Sequence, residues 1–194
     1  MAIDTGLAID CTDLQATGGI KQILLRSWAD GDAIVYGSST HTITSIKDTG
    51  GTDADWGVYE FKNETPALTI NATKENGSTA FECGLSFTLP RMEVAKFNAI
   101  QDMLNACLMI IAVDTNDKAF VLGVSEKYRN ESVAYRSQTF GQFASAEGGS
   151  GAAYSDENGV TISLMARQFE MPREYVPSAT GITVAATGLT ATTD

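Results

Sequence analysis

From Leu68 to Leu89 the chain alternates apolar and polar residues around a central Asn76-Gly77 pair. Leu68, Ile70 and Ala72 interleave with Thr69, Asn71 and Thr73. Beyond the turn, Phe81, Cys83, Leu85, Phe87 and Leu89 interleave with Ala80, Glu82, Gly84, Ser86 and Thr88. A period of two belongs to an extended strand, whose side chains point to opposite faces in turn. Asn-Gly supplies the positive φ that a tight hairpin turn needs. The segment predicts a long two-faced hairpin: one face must pack on a core, and the polar, Thr-rich face suits water.

The next segment supplies a cover. Pro90 ends the strand pattern, and Arg91 to Cys107 switches to helical spacing, with Phe97, Ile100, Leu104 and Cys107 on one stripe. Glu93, Lys96, Asn98, Gln101 and Asn105 lie largely opposite, which predicts one amphipathic helix of about four turns lying on a sheet. Leu108 to Val113 and Ala119 to Val124 are continuous apolar runs joined by Asp114-Thr115-Asn116-Asp117-Lys118. They predict a short hairpin buried on both faces.

The flanks are also β-patterned. Ile20 to Trp28 and Ala33 to Tyr36, separated by a segment containing Asp30-Gly31, predict a first hairpin. Gly37 to Asp55, rich in Ser, Thr, Gly and Asp, predicts an extended loop carrying a thin ribbon at Thr42 to Ile46. Loops of that length tend to serve function or bind a partner. Ser132 to Thr139 predicts a weaker strand, Ser145 to Gly151 a flexible loop, and Val160 to Arg167 a closing strand. The expected fold is mainly β: an antiparallel sandwich or barrel with one flanking helix, over residues 1–177. Residues 178–194, small and Thr-rich, cannot build a core and are expected to form a C-terminal arm. Such an arm is ordered only when something holds it, and neighbouring subunits are the expected anchor.

Composition bounds the function. Of 194 residues 43% are hydrophobic and 19% charged, and the formal net charge is −11. That apolar fraction argues against disorder, and no apolar run reaches the length of a membrane-spanning helix. The opening Met1-Ala2-Ile3-Asp4 lacks the basic start and apolar stretch of a signal peptide, so an intracellular origin is expected. Lys and Arg are scattered singly, which speaks against wrapping a nucleic acid, whereas an acidic wall lets DNA slide past without sticking. Three widely spaced cysteines, Cys11, Cys83 and Cys107, read as reduced thiols, with Cys83 and Cys107 expected to be buried.

The residues give no convergent chemistry. His41, the single histidine, sits in the Ser/Thr-rich segment without a nucleophile motif and reads as a solvent-exposed loop residue. Asp-Thr-Gly at Asp4 and at Asp48 echoes the aspartic proteases, but neither copy has the flanking apolar strands, and a solvated turn is the better account. Asp114, Asn116 and Asp117 lack the Gly and distal Glu of a calcium loop and read as a hairpin turn. Asp48, Asp53 and Asp55 offer at most weak cation binding. Gly148, Gly149 and Gly151 lack phosphate-loop spacing, and Trp28, Trp56 and Phe61 read as core packing. The expectation is of no catalytic residues, no cofactor and no metal, hence of a structural or binding protein.

The order of these elements resembles the tail tube proteins of long-tailed bacteriophages: the Thr-rich hairpin, Glu82-Cys83-Gly84-Leu85-Ser86-Phe87-Thr88-Leu89-Pro90 leading into one helix, then an apolar hairpin and a closing strand. The resemblance spans Gly18 to Val176 and is one of architecture. It implies a virion protein, assembled in the host cytoplasm, whose hexameric rings stack into a tube. The inner sheets join into one barrel around a DNA channel. Thr69, Asn71, Thr73, Glu82, Ser86 and Thr88 are then expected to face the lumen. Ser38, Thr40, Asp48, Asp53, Asp55, Ile182, Val184 and Leu189 are expected at contacts between subunits or rings. The implied partners are further copies of the chain, other tail or neck proteins, and passing duplex DNA without specific binding, with no membrane. A neck, tail-terminator or capsid-decorating protein shares the same physics, and a carbohydrate-binding sandwich is the remaining alternative.

Overall fold

The computed structural model describes residues 18–28, 33–37, 41–47, 56–59, 61–62, 64–125, 140–153 and 158–176, with the backbone of 182–185 and 188–191. In chain order the elements begin with β1 (Ile20–Ser27), β2 (Ala33–Tyr36), β3 (Thr42–Lys47) and β4 (Gly57–Tyr59). The hairpin β5 (Ala67–Glu75) and β6 (Ser78–Pro90) and the helix α1 (Val94–Leu104) come next, then β7 (Leu108–Asp114) and β8 (Ala119–Leu122). The chain continues with β9 (Gly141–Gly149), β10 (Gly159–Gln168), β11 (Arg173–Tyr175), β12 (Ile182–Ala185) and β13 (Gly188–Ala191). The protein is mainly β, as its alternation predicts.

The fold is organised around β1, β7 and β8, which carry a core on each face. Ile23, Leu25, Leu108, Ile110, Ala112 and Leu122 enter one core, and Leu24, Met109, Ile111, Val113, Ala119 and Val121 enter the other. Successive side chains of a strand point opposite ways, so a run such as Leu108 to Val113 fills both cores only if it lies between two layers. The first core is closed by α1 and by β5, β6, β9 and β10, through residues such as Cys83, Leu85, Phe87, Ile162 and Leu164. The second is closed by Ile34, Ile43, Ile46 and Trp56. Eleven strands form one sheet, whose main path runs β2-β3-β11-β8-β7-β9-β10-β6-β5, with β1 attached to β7 and β4 to β1. The sheet is open, and one pairing, β3 with β11, is parallel.

The turns obey local chemistry. Asn76 and Gly77 have φ of 47° and 82°, the left-handed pair a two-residue hairpin turn requires. Between β7 and β8 the Asp114 carboxylate accepts hydrogen bonds from the backbone N–H of Asn116 at 2.9 Å and of Lys118 at 2.7 Å. This closes a turn rather than a calcium loop.

Several expectations are corrected. The first hairpin does not form: β1 pairs with β4 and β7, while β2 pairs with β3. Ile23, Leu24 and Leu25 are all buried, so β1 needs a core on both faces and strands on both edges, which a peripheral hairpin cannot supply. The ribbon inside the 37–55 loop is held in the sheet as β3, with Ile43 and Ile46 buried. Most of the segment 145–151, expected to be flexible, is strand: β9 runs to Gly149. A Cβ on Gly148 would lie 2.4 Å from the Gly159 carbonyl, so that glycine serves a close strand approach rather than flexibility.

The helix is shorter than expected and rolled about its axis. Ala99, Ile100, Met103 and Ala106 meet the core, while Phe97 and Leu104 stand out and Cys107 is exposed rather than buried. The apolar stripe is wider than the sheet beneath can cover, so part of it is left outside. The expected strand at 132–139 lies outside the described residues.

Candidate assembly surface

Four strands, β9, β10, β6 and β5, form an all-antiparallel unit with one dry and one wet face. Register fixes which residues share the wet face. Thr161 lies opposite Thr88 and Glu147, Ser163 opposite Ser86 and Ser145, and Arg167 opposite Glu82. On the last strand Thr69 faces Gly84, Asn71 faces Glu82, and Thr73 faces Ala80. The predicted six, Thr69, Asn71, Thr73, Glu82, Ser86 and Thr88, therefore do share one face. Alternation alone was enough to find them.

Their environments grade along the face. Thr88 is the most enclosed: its hydroxyl is 2.9 Å from that of Thr161, and its N–H donates to Thr65 Oγ1 at 3.3 Å. The Thr69 and Thr73 hydroxyls donate to the carbonyls of Gly84 and Ala80 across the strand pair. A Cβ on Gly84 would come within 2.8 Å of Thr69 Oγ1, so the missing side chain makes room for that hydroxyl. The charges are sparse: Glu82 and Glu147 against Arg167, whose Nε is 3.8 Å from Glu82 Oε1 at an exposed site. Among the described side chains, two carboxylates against one guanidinium leave this face weakly acidic and without the clustered cations that phosphate binding needs.

The unit has two available edges. β5 ends the sheet path, and β9 meets β7 only where Gly141 faces Leu108, so Gln142 to Gly149 has no strand on that side among the described residues. The outer part of the hairpin also overhangs the core: Asn71 to Lys74 and Asn76 to Thr79 are exposed on both faces. Ser145, Glu147, Thr161, Ser163 and Arg167 belong to the same surface, yet sequence reasoning did not place them there. The alternation of β10 was legible; the glycines of β9 and a register shift at Ser163/Leu164 hid the rest.

The other candidates separate from this surface. Ser38, Thr40, Asp48, Asp53 and Asp55 lie outside the described residues. Ile182, Val184 and Leu189 lie on β12 and β13, which pair with each other as a separate two-stranded ribbon. His41 is exposed in a turn at φ 66°, and its carbonyl accepts from the Glu174 N–H at 2.9 Å. Trp56 is buried, and Trp28 and Phe61 pack against the two cores. Cys83 is fully buried, and desolvation pushes its thiol up to about 11. No group of three His, Cys, Asp or Glu side chains able to hold a metal occurs among the described residues. No family model, curated protein or solved structure matches the chain.

Proposed function

We propose that the protein is a virion structural subunit, a phage tail tube protein whose rings stack around a channel for duplex DNA. The observation that carries this reading is the four-stranded unit with a polar face and two edges that carry no further strand among the described residues, β5 over its nine residues and β9 from Gln142 to Gly149. Exposed edges are templates for pairing, and closing a barrel abolishes them. The direction of the strands makes closure consistent: β9 and β5 run opposite ways across an even number of antiparallel strands. Rotation about a pore axis brings β9 of one copy beside β5 of the next, and the new pair is again antiparallel.

Six copies would give a 24-stranded barrel, roughly 50 Å across the backbone at ordinary strand spacing and tilt. That bore clears a DNA duplex. Thr69, Asn71, Thr73, Glu82, Ser86 and Thr88 then line the wall with hydroxyls, an amide and a carboxylate, which hydrate well and give phosphates nothing to hold. The subunit would be assembled in the bacterial cytoplasm and would meet other tail or neck proteins at the ends of the tube.

Negative-stain microscopy of the purified protein tests this. Tubes of uniform diameter are expected; isolated single rings would shift the assignment to a tail terminator or neck protein, and monomers at high concentration would overturn it. An edge variant sharpens the test. Glu75 and Ser78 close the turn as a paired couple, so the alternation of ladder bonds turns the Ala72 N–H toward the free edge. Ala72→Pro should leave the β5–β6 ladder and the melting temperature nearly unchanged while abolishing rings and tubes.

A further inference from the structure

The chain carries one dipeptide twice, Asn76-Gly77 and Asn158-Gly159, each preceded by a glutamate. Asparagine is a thermolabile residue, and a glycine after it exposes the weakness. With no Cβ on the next residue to block approach, the following backbone nitrogen can attack the side-chain amide carbon once the two are turned toward each other. The fold decides whether that turning is allowed, and it treats the two pairs in opposite ways.

Asn158 is held. Its side-chain carbonyl accepts the Met92 N–H at 3.1 Å, and its backbone carbonyl accepts the Arg91 N–H at 2.7 Å. Gly159 is buried and stands in the ladder between Pro90 of β6 and Gly149 of β9. A Cβ there would lie 2.8 Å from the Leu89 carbonyl, so attack by the Gly159 nitrogen would need neighbouring strands to part. Asn76-Gly77 is the reverse. Both residues are exposed at the end of the hairpin, outside the last ladder couple, Glu75 with Ser78. No described atom lies within 4 Å of the place a Cβ on Gly77 would take. Rotating Asn76 out of its left-handed turn, φ 47°, disturbs that terminal couple and no core residue, which is a fraying motion rather than an unfolding one.

We infer that Asn76 is a deamidation site of the folded protein, and that the fold protects Asn158 from the same reaction. The Gly77 nitrogen bonds to Cγ of Asn76, the Cγ–Nδ2 bond breaks, and Nδ2 leaves as ammonia with the proton from the Gly77 nitrogen. Water then opens the five-membered imide at one of its two carbonyls. Opening at Cγ restores the ordinary chain with aspartate at position 76; opening at the backbone carbonyl leaves isoaspartate, with the chain running through Cγ. Either product adds one negative charge to a chain whose net charge is already −11. Aspartate still suits a two-residue turn, whereas isoaspartate adds a methylene to the backbone and displaces it. The inference needs only the hairpin of a single subunit, so it stands or falls apart from the assembly reading.

Peptide mapping by mass spectrometry tests it, on the full-length folded protein aged at mildly alkaline pH beside a sample aged in urea. In the folded sample, conversion of amide to acid at position 76 should run about tenfold faster than at position 158, or more, with isoaspartate at position 76 detected by an isoaspartyl methyltransferase. In urea the two positions should convert at similar rates, because the fold is what separates them. Asn76→Gln, whose amide would have to close a six-membered ring, should remove most of the acidic species that ion exchange resolves from the aged folded protein. Equal conversion at the two positions in the folded sample, or none at position 76, would overturn the inference. A difference just as large in urea would overturn it too, by tracing the rates to local sequence rather than to the fold.

Discussion

The two halves of the molecule use alternation in opposite ways. In β1, β7 and β8 both sets of alternate residues are apolar and both faces are buried, as Ile110 and Ile111 illustrate, each with no exposed surface. In the unit β9-β10-β6-β5 one set packs inward, through Leu85, Phe87 and Leu164, while the other stays wet, through Thr69, Asn71 and Glu82. The first half holds the monomer together. The second carries more strand than one core can cover, and its overhang and open edges are the features on which the proposed assembly depends.

The contrast breaks most visibly in the central layer. Ile110→Ala should cost about 3 to 4 kcal/mol, because the surrounding layers cannot collapse on the cavity from either side. Urea denaturation measures this directly. A loss below about 1 kcal/mol would mean that the middle layer is looser than its burial implies. Within the second half, Gly148→Ala should cost about 2 kcal/mol, because the new methyl meets the Gly159 carbonyl and Val160 Cα, backbone atoms that move only by opening β9 from β10. If β9 is a flexible loop rather than a strand, this substitution will be silent.

Cysteine chemistry sharpens the same division. Cys83 lies on the inner face of β6, with its thiol raised to about 11, and Cys107 is exposed after the helix. At pH 8 a thiol reagent should label Cys107 rapidly and Cys83 only on unfolding. Between the ordinary thiol pKa of 9.0 and about 11 the unfolded chain gives up the Cys83 proton while the folded chain keeps it. The folded state then binds more protons, so stability falls as pH rises through that window and is fully present below it. Urea midpoints at pH 8 and pH 10.5, compared with those of Cys83→Ala, isolate the effect. An equal pH response in the variant would remove the cause proposed.

These differences also mark how far a sequence can be read. The hairpin from Leu68 to Leu89 was legible to the residue, because alternation and an Asn-Gly turn agree with each other and no distant contact overrides them. The doubly buried pair β7–β8 was legible for a related reason: an unbroken apolar run between turn residues has few ways to be satisfied. The partner of β1 was not. Ile20 to Trp28 contains the same kind of run, but whether it pairs with the next strand or with one nearly 90 residues later is decided by which arrangement covers both faces. The helix shows a subtler failure. Periodicity located the helix but not its buried stripe: of Phe97, Ile100, Leu104 and Cys107 only Ile100 meets the core, because which part of the apolar surface faces inward depends on the sheet below, so Met103 turned inward and Phe97 outward. For the candidate surface, β5 and β6 could be read residue by residue, whereas β9 could not, because its glycines carry the composition of a loop while serving a close approach.

The smallest expected effect tests whether the wet face belongs to the monomer at all. Glu82→Gln removes a carboxylate whose nearest cation, Arg167, is 3.8 Å away at an exposed position, and exposed pairs of that geometry are worth between zero and about 1 kcal/mol. Asn71, opposite Glu82 on β5, is also exposed, so no buried group loses a partner. Monomer stability should change by less than about 0.5 kcal/mol, as should that of Thr69→Ala. Ring formation should persist, because the proposed closure joins copies through backbone edges rather than through these side chains. A loss above about 1 kcal/mol from either substitution would mean that the face is buttressed within the monomer. The polar alternation would then be a feature of folding, like the apolar one, rather than a wall left wet for something to pass along it.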